Sequence, residues 1–121
     1  MTIEELLEDA RRKLDRVPVE LLETERSAGA LIVDIRPVEQ RERDGDLPGA
    51  IVIDRNVLEW RLAPASAHRI AETRSERRVI IVCNEGYQSS LAAATLQQLG
   101  LHCATDLIGG YQAWRVWSAS E

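Results

Sequence analysis

Short runs that are apolar at every position constrain the fold of this chain more than any other sequence feature. Three of them are Ala30-Leu31-Ile32-Val33, Ala50-Ile51-Val52-Ile53 and Val79-Ile80-Ile81-Val82. Such runs are typical of strands that are covered on both faces, as in a parallel sheet. The segment His102-Cys103-Ala104-Thr105, which leads towards Leu107, predicts a fourth strand.

Helical patterns separate these runs. The spacing predicts helices from Thr2 to about Asp15, Pro18 to Gly29, Pro37 to Arg43, Ala65 to Thr73, and Ser89 to Leu99. The first of them opens with a Thr2-x-x-Glu5 capping box. Alternating strands and helices predict a three-layer α/β domain with a mainly parallel sheet, which binds ligands beyond the carboxyl ends of its strands.

Length and charge limit the classes of protein that remain. A chain of 121 residues, 45% hydrophobic, suits one domain, here 30–118, with an N-terminal helical segment 1–29 packed on it. The net charge of −5 argues against a nucleic-acid partner. The sequence shows neither a secretory signal nor a membrane span, so we expect a cytoplasmic protein with Cys83 and Cys103 as free thiols.

The most informative segment surrounds Cys83, which directly follows a predicted strand. Asn84-Glu85-Gly86-Tyr87-Gln88 forms a small polar loop, and a helix is predicted from Ser89, where Ser89 or Ser90 is expected to cap it. Loop amides and a helix N-terminus would converge on the sulfur and favour an anion there. A thiolate in this setting can accept a sulfur atom and carry it as a persulfide. The alternative is that Cys83 is an ordinary buried strand residue.

The remaining chemistry-bearing residues predict packing or surface roles. Cys103 is expected to fill core space in its strand. His68 and His102 lie in surface-type segments without metal-ligand spacing, so we expect no metal site and no cofactor. The tryptophans are expected to pack in or around the core, and they are Trp60, Trp114 and Trp117.

Three further motifs occur in order around the cysteine loop. They are Leu31-Ile32-Val33-Asp34-Ile35-Arg36, Gly45-Asp46-Leu47-Pro48-Gly49-Ala50 and Leu107-Ile108-Gly109-Gly110-Tyr111-Gln112-Ala113-Trp114. Together they resemble the rhodanese-like domain family, although Asp46 stands where that family usually has histidine. The resemblance implies a five-stranded parallel sheet flanked by helices, with Cys83 as the sulfur-accepting nucleophile.

The loop itself both resembles and departs from that family. Its six residues, Cys83 to Gln88, resemble the sulfurtransferase form, whereas related phosphatases have a loop one residue longer. Gln88 stands where an arginine is expected, which removes a cation but leaves an amide donor. Glu85 adds a carboxylate that disfavours an anionic donor unless it faces solvent or pairs with an arginine.

The resemblance also implies roles for residues outside the loop. Arg55 and Arg61 follow the strand at Ile51, in a segment that tends to form the substrate rim, and either is a candidate contact for the donor. The alternative is that both are ordinary surface arginines. Asp34 and Arg36 are expected to brace the cysteine loop by hydrogen bonds. The candidate substrate-binding residues of the loop are Asn84, Glu85, Gly86, Tyr87, Gln88 and Ser89.

These features predict a sulfurtransferase that acts through a Cys83 persulfide. The donor would be thiosulfate or a persulfide, and the acceptor cyanide, a small thiol or a protein. One alternative is a catalytically weak rhodanese-like binding or sulfur-relay module, which Gln88 and Glu85 keep open. A phosphatase or arsenate reductase is the third class, and both the loop length and the missing arginine argue against it.

Overall fold

The computed structural model describes residues 1–120, and these residues form four strands, β1 Leu31–Asp34, β2 Ile51–Val52, β3 Val79–Val82 and β4 Ala104–Asp106. The strands form one parallel sheet in the order β2-β1-β3-β4. The four predicted strands are confirmed. Pairing of Asp34 with Val82 brings the carboxyl ends of β1 and β3 to the same edge.

The expected fifth strand is absent from residues 1–120, which corrects the strand count. A single parallel bridge between Val17 and Leu107 lies beyond the end of β4. The Val17 N–H donates to the Asp106 carbonyl at 3.0 Å, and the Ile108 N–H donates to the Val17 carbonyl at 2.9 Å. Val19, the next residue that could bond in the same direction, begins the 3₁₀ turn Val19–Leu21, so the pairing ends after one residue.

In the part of the chain that the structure describes, six helices surround the sheet. They are α1 Ile3–Arg12, α2 Leu22–Ser27, α3 Val38–Asp44, α4 Leu58–Leu62, α5 Gln88–Gln98 and α6 Gly110–Ala119, with short 3₁₀ turns Val19–Leu21 and Arg55–Val57 before α2 and α4. The predicted capping box is present, because the Glu5 N–H donates to Thr2 Oγ1 at 3.0 Å and the Thr2 N–H donates to Glu5 Oε1 at 2.9 Å. Lys13 is the C-cap of α1.

The predicted helix from Ala65 to Thr73 is wrong, because this segment forms successive turns. The Ser66 hydroxyl donates to the carbonyl of Trp60, and the His68 N–H donates to Ser66 Oγ at 3.1 Å. A side chain that bonds nearby backbone groups competes with helical hydrogen bonds. Thr73 is the only buried residue of the segment, so packing does not favour a helix there either.

Two apolar cores cover the two faces of the sheet, which confirms the three-layer arrangement. Alternate strand residues face opposite sides. One core includes Leu31, Val33, Val79 and Ile81 with Leu58, Leu62 and Leu96 of α4 and α5. The other includes Ile32, Ile80 and Val82 with Val17, Leu22, Leu107 and Tyr111. The division between the N-terminal helical segment 1–29 and the domain 30–118 stays a prediction.

The second cysteine differs from expectation. Cys103 is exposed, because it lies in the turn before β4 rather than inside the strand, so its expected core position is wrong. His68 and His102 are exposed as predicted. Trp60 is also exposed, whereas Trp114 packs against Tyr111 with ring centroids 5.5 Å apart. Within residues 1–120, none of the helices has the length and apolar character needed to cross a membrane.

Candidate active site

Cys83 lies directly after β3, at the carboxyl edge of the sheet, and is 8% exposed. Its Sγ accepts the N–H of Gly86 at 3.1 Å and the N–H of Ser89 at 3.3 Å. The thiol donates to Ser89 Oγ at 3.2 Å. Because α5 begins at Gln88, the positive end of its dipole adds to these two amides. The two amides and the helix dipole favour negative charge on the sulfur, whereas the bond to Ser89 Oγ favours the protonated thiol.

The loop packs backbone against backbone on the start of α6. Gly86 has φ +88°, and a Cβ atom there would lie 2.8 Å from the Gly109 nitrogen. A Cβ atom on Gly110 would lie 2.5 Å from the Cys83 carbonyl oxygen. Real Cβ contacts are longer, so both positions require glycine. This approach explains why the first residue of α6, Gly110, is a glycine.

The first turn of α6 binds the loop carbonyls. The Tyr111 N–H donates to the Cys83 carbonyl at 2.8 Å, and the Gln112 N–H donates to the Asn84 carbonyl at 3.1 Å. Gln112 Nε2 also donates to Asn84 Oδ1 at 3.0 Å. These bonds use free N–H groups of a helix N-terminus and turn the two carbonyls away from the sulfur.

A buried carboxylate lies behind the sulfur. The hydroxyls of Ser89 and Ser90 each donate to Asp106 Oδ2 at 2.7 Å. Neither hydroxyl caps α5, whose N-cap is Tyr87 without a side-chain bond, so the predicted serine cap is wrong. Asp106 is fully buried, and Arg16 Nε donates to its Oδ1 at 2.8 Å. Two serines and an arginine thus satisfy this carboxylate.

Sequence reasoning missed Arg11, Arg16 and Asp106. Arg11 Nη2 and Arg16 Nη2 both donate to the Gly86 carbonyl, at 2.8 and 3.1 Å. A carboxylate at the end of a strand beside the cysteine strand was a usable signal for Asp106. No local pattern marks the two arginines, because their contacts span 75 and 70 residues.

Cys83 opens into a cavity of about 320 Å³ at this edge of the sheet. Its walls come from the segment that follows β1, from α3, from Arg55, and from the cysteine loop. The lining residues are Ile35, Arg36, Pro37, Gln40, Arg55, Cys83, Asn84, Glu85, Tyr87 and Gln88. Most of the predicted site residues therefore share one cavity, while Gly86 and Ser89 contact the sulfur through their N–H groups.

The two candidate rim arginines have different positions. Arg55 Nε donates to Gln88 Oε1 at 3.3 Å, and its Nη1 donates to both carboxylate oxygens of Glu59, at 2.9 and 3.0 Å. A cation therefore lies beside the glutamine that replaces the loop arginine. Arg61 does not line this cavity, because α4 directs it to the His68 carbonyl at 2.7 Å, and its predicted place at the rim is corrected.

Asp34 and Arg36 form a buried ion pair, with Nη2 and Oδ2 2.8 Å apart. Arg36 Nη2 also donates to the Gly45 carbonyl at 2.9 Å, and the guanidinium lies 3.7 Å from the centroid of the Tyr111 ring. The pair thus fixes the segment after α3 and the start of α6. Its expected side-chain hydrogen bonds to the Cys83 loop are not formed among residues 1–120.

The two other loop side chains are exposed. Glu85 faces solvent and forms no ion pair among residues 1–120, so exposure to solvent is the alternative that the structure shows. Tyr87 is 60% exposed, and its ring centroid lies 5.7 Å from Cζ of Arg11. Solvent screens an exposed carboxylate, which weakens its effect on an anion at the sulfur.

Known proteins are similar to this chain in sequence. Thiosulfate sulfurtransferase GlpE of Stutzerimonas stutzeri is 32% identical over 100 residues, which cover 83% of this chain and 84% of that protein. GlpE of Pseudomonas savastanoi is 28% identical over 106 residues, covering 88% and 92%.

Solved structures have the same fold. A Rhodopseudomonas palustris protein of unknown function, described as a possible tyrosine phosphatase, superposes with a TM-score of 0.87 at 29% identity, over 98% of this chain and 92% of that one. The human single-domain sulfurtransferase TSTD1 superposes with a TM-score of 0.70 at 24% identity, over 88% and 96%. The family model for rhodanese-like domains matches residues 17–116. The chain therefore belongs to the rhodanese-like domain family.

Proposed function

We propose that this protein is a sulfurtransferase that moves a sulfane sulfur through a persulfide on Cys83. The observation that carries the proposal is the pair of N–H groups, from Gly86 and Ser89, that the sulfur accepts at the floor of an open cavity. These donors stabilise the thiolate before transfer, and we expect the same set of donors to stabilise the persulfide anion after it. Relatives named thiosulfate sulfurtransferase support the same reaction class.

The proposed reaction has two steps. The Cys83 thiolate attacks the outer sulfur of thiosulfate, the S–S bond of the donor breaks, and sulfite leaves with the electron pair. Cyanide then attacks the terminal sulfur of the persulfide, which forms thiocyanate and restores the thiolate. A thiol acceptor would take the same sulfur as its own persulfide. Neither step needs a metal or an organic cofactor.

Arg55 is the proposed contact for the charged end of the donor. It lines the cavity with Cys83 and lies against Gln88, where the family's loop has its own arginine. A guanidinium can bind sulfonate oxygens with two parallel hydrogen bonds. Its pairing with Glu59 fixes the side chain but also offsets part of its charge. We therefore propose that donor binding is weaker here than with an arginine inside the loop.

A second candidate function is that of a binding or sulfur-relay module fed by a persulfide partner, not by thiosulfate. The exposed Glu85 carboxylate at the cavity mouth favours it, because this charge opposes an anionic donor. In this case the acceptor or the donor is a protein. Residence in the cytoplasm, and the absence of nucleic-acid and membrane partners, stay predictions from the sequence.

Intact mass spectrometry tests the proposal. The reduced wild-type protein is incubated with thiosulfate and then with cyanide, beside Cys83→Ser and Cys103→Ser. Cys103 is exposed and outside the cavity, which makes it the matched control. We expect wild type and Cys103→Ser to gain one sulfur atom and lose it to cyanide, while Cys83→Ser gains none.

Other results point elsewhere. A folded wild-type protein that gains no sulfur from thiosulfate but gains one from a persulfide donor supports the relay module. A sulfur adduct that Cys103→Ser loses and Cys83→Ser keeps overturns Cys83 as the carrier. Turnover of a phosphate ester that depends on Cys83 would instead support the phosphatase class.

A further inference from the structure

The outer face of the cysteine loop carries two arginines from the N-terminal segment. Arg11 Nη2 donates to the Gly86 carbonyl at 2.8 Å, and Arg11 Nε donates to Ser90 Oγ at 3.1 Å. Arg16 Nη2 donates to the same carbonyl at 3.1 Å. The Gly86 carbonyl therefore points outward, towards positive charge, while the Gly86 N–H points inward at the sulfur.

Arginines around the site differ in whether a carboxylate offsets their charge. Arg16 pairs with Asp106 at 2.8 Å, and Arg55 pairs with Glu59 at 2.9 Å. Both of these cations are thus largely neutralised where they lie.

The same holds for the buried pair of Arg36 with Asp34, 2.8 Å apart. Arg11 alone among these arginines forms no ion pair within residues 1–120. Glu85 is the corresponding unpaired anion, but it is exposed, whereas Arg11 is half-buried. Burial reduces screening, so Arg11 contributes the less attenuated field at the loop.

We propose that Arg11 is a positioning and electrostatic residue of the Cys83 site, which stabilises the Cys83 thiolate through the Gly86 carbonyl. A guanidinium on this carbonyl fixes the Gly86–Tyr87 peptide, which adjoins the Glu85–Gly86 peptide whose N–H points at Sγ, and its charge favours an anion on the sulfur. It compensates from α1 for the cation that the loop lacks at Gln88. The inference rests on Cys83 as the nucleophile of the proposed function. Arg11 lies outside residues 17–116, which match the family, so family membership does not assign this role.

The rate of Cys83 alkylation by iodoacetamide across pH tests this role, because the thiolate is the reacting form. A Cys103→Ser background leaves one cysteine to alkylate. In that background Arg11→Gln keeps hydrogen-bond donors without the charge, and Arg11→Lys keeps the charge. Arg12→Gln is the matched control, since Arg12 lies on the same helix, is exposed and pairs with Glu8 and Asp9.

We expect alkylation of Arg11→Gln at pH 7 to slow by roughly threefold to tenfold, with the pH of half-maximal rate moved upward. Arg11→Lys should stay close to the parent protein, and Arg12→Gln should match it. A folded Arg11→Gln protein with the parent's pH profile would overturn the proposal. So would an Arg11→Lys protein that is as slow as Arg11→Gln, because the role would then be geometric only.

The outcome is separate from that of sulfur transfer. Alkylation reports on the thiolate whether or not a donor binds. If no variant accepts sulfur from thiosulfate but the alkylation profiles differ as expected, the proposed donor fails and the role of Arg11 stands. If all variants accept sulfur equally fast and share one alkylation profile, the proposed function stands and the role of Arg11 fails.

Discussion

A single methyl group added at Gly110 would force the cysteine loop and α6 apart. The Cβ of an alanine would lie 2.5 Å from the Cys83 carbonyl oxygen, which itself accepts the Tyr111 N–H. The loop cannot yield without moving the amides that surround the sulfur. Gly29 offers a comparison, because it also has positive φ but a Cβ there would meet nothing within 4 Å.

We therefore predict that Gly110→Ala lowers both stability and Cys83 reactivity. The free energy of unfolding should fall by about 1–3 kcal/mol, from crowding and a left-handed backbone. Sulfur uptake and alkylation of Cys83 should slow as well. Gly29→Ala should lose stability from its backbone conformation and keep the reactivity of Cys83. Urea unfolding and alkylation rates measure both, and equal reactivity of the two variants would contradict the steric account.

Arg55 and Arg61 provide a second comparison at the scale of single residues. The two arginines are only six positions apart in the sequence but differ in their surroundings. Arg55 lines the cavity, whereas Arg61 donates to the His68 carbonyl. We expect Arg55→Met to raise the KM for thiosulfate roughly tenfold, because a charged hydrogen bond to the donor is lost. Arg61→Met should leave KM unchanged. Steady-state kinetics of thiocyanate formation test this, and an equal KM for both variants contradicts the role of Arg55.

At the scale of elements, Asp44 links the end of α3 to α6. Its carbonyl accepts the Tyr111 hydroxyl at 2.7 Å, and its carboxylate accepts Gln112 Nε2 at 2.9 Å. Hydrogen bonds from Arg43, with further contributions from Gln112 and the charge of Arg115, lower the pKa of Asp44 from 3.8 to about 2. Gln112 and Arg115 of α6, the helix that contacts the cysteine loop, thus bind the ionised carboxylate of Asp44.

The lowered pKa gives a pH dependence with a defined sign. A carboxylate whose pKa is lower in the folded state stabilises the fold above pH 4, and this contribution is lost as pH falls from about 4 towards 2. We expect the difference in unfolding free energy between wild type and Asp44→Asn to be constant above pH 5 and to shrink at lower pH. Urea unfolding at several pH values tests this, with the exposed Asp46→Asn as control. A difference that grows as pH falls would contradict it.

How far the elements can be predicted depends on what stabilises them. The strand at Val79–Val82 is apolar throughout because both faces are covered, so its sequence predicts it. The Ala65–Thr73 segment contains helix-favouring alanines, yet turns form because Ser66 bonds nearby backbone and no apolar face is buried. The cysteine loop was predictable from its position after a strand. The arginines behind it were not, because long-range packing alone brings α1 to Gly86.

At the scale of the whole molecule, stability comes from the two cores on either side of the sheet. Leu96 of α5 is fully buried in the core that also holds Ile81 of β3 and Leu58 of α4. Leu99, the C-cap residue of the same helix, is 43% exposed. Removing the Leu96 side chain would leave a cavity between a helix and the sheet.

We predict that Leu96→Ala lowers the free energy of unfolding by about 2–5 kcal/mol, as buried leucine truncations do. Leu99→Ala should cost less than about 1 kcal/mol, because its side chain is already half in water. Urea unfolding monitored by tryptophan fluorescence measures both. Equal losses would show that the core on this face is not the main source of stability.

The C-cap of α1 separates the two arginines that bind the Gly86 carbonyl. Lys13 is exposed, it is the only lysine in the sequence, and it lies between Arg11 and Arg16. An endoprotease specific for lysine would therefore cut these 121 residues once, after Lys13, and separate Arg11 from Arg16. After cleavage, the N-terminal fragment carries α1 and the other fragment carries Cys83. We expect the reactivity of Cys83 to rise as the N-terminal fragment is added back, so that fragment complementation measures how strongly α1 binds the rest of the domain.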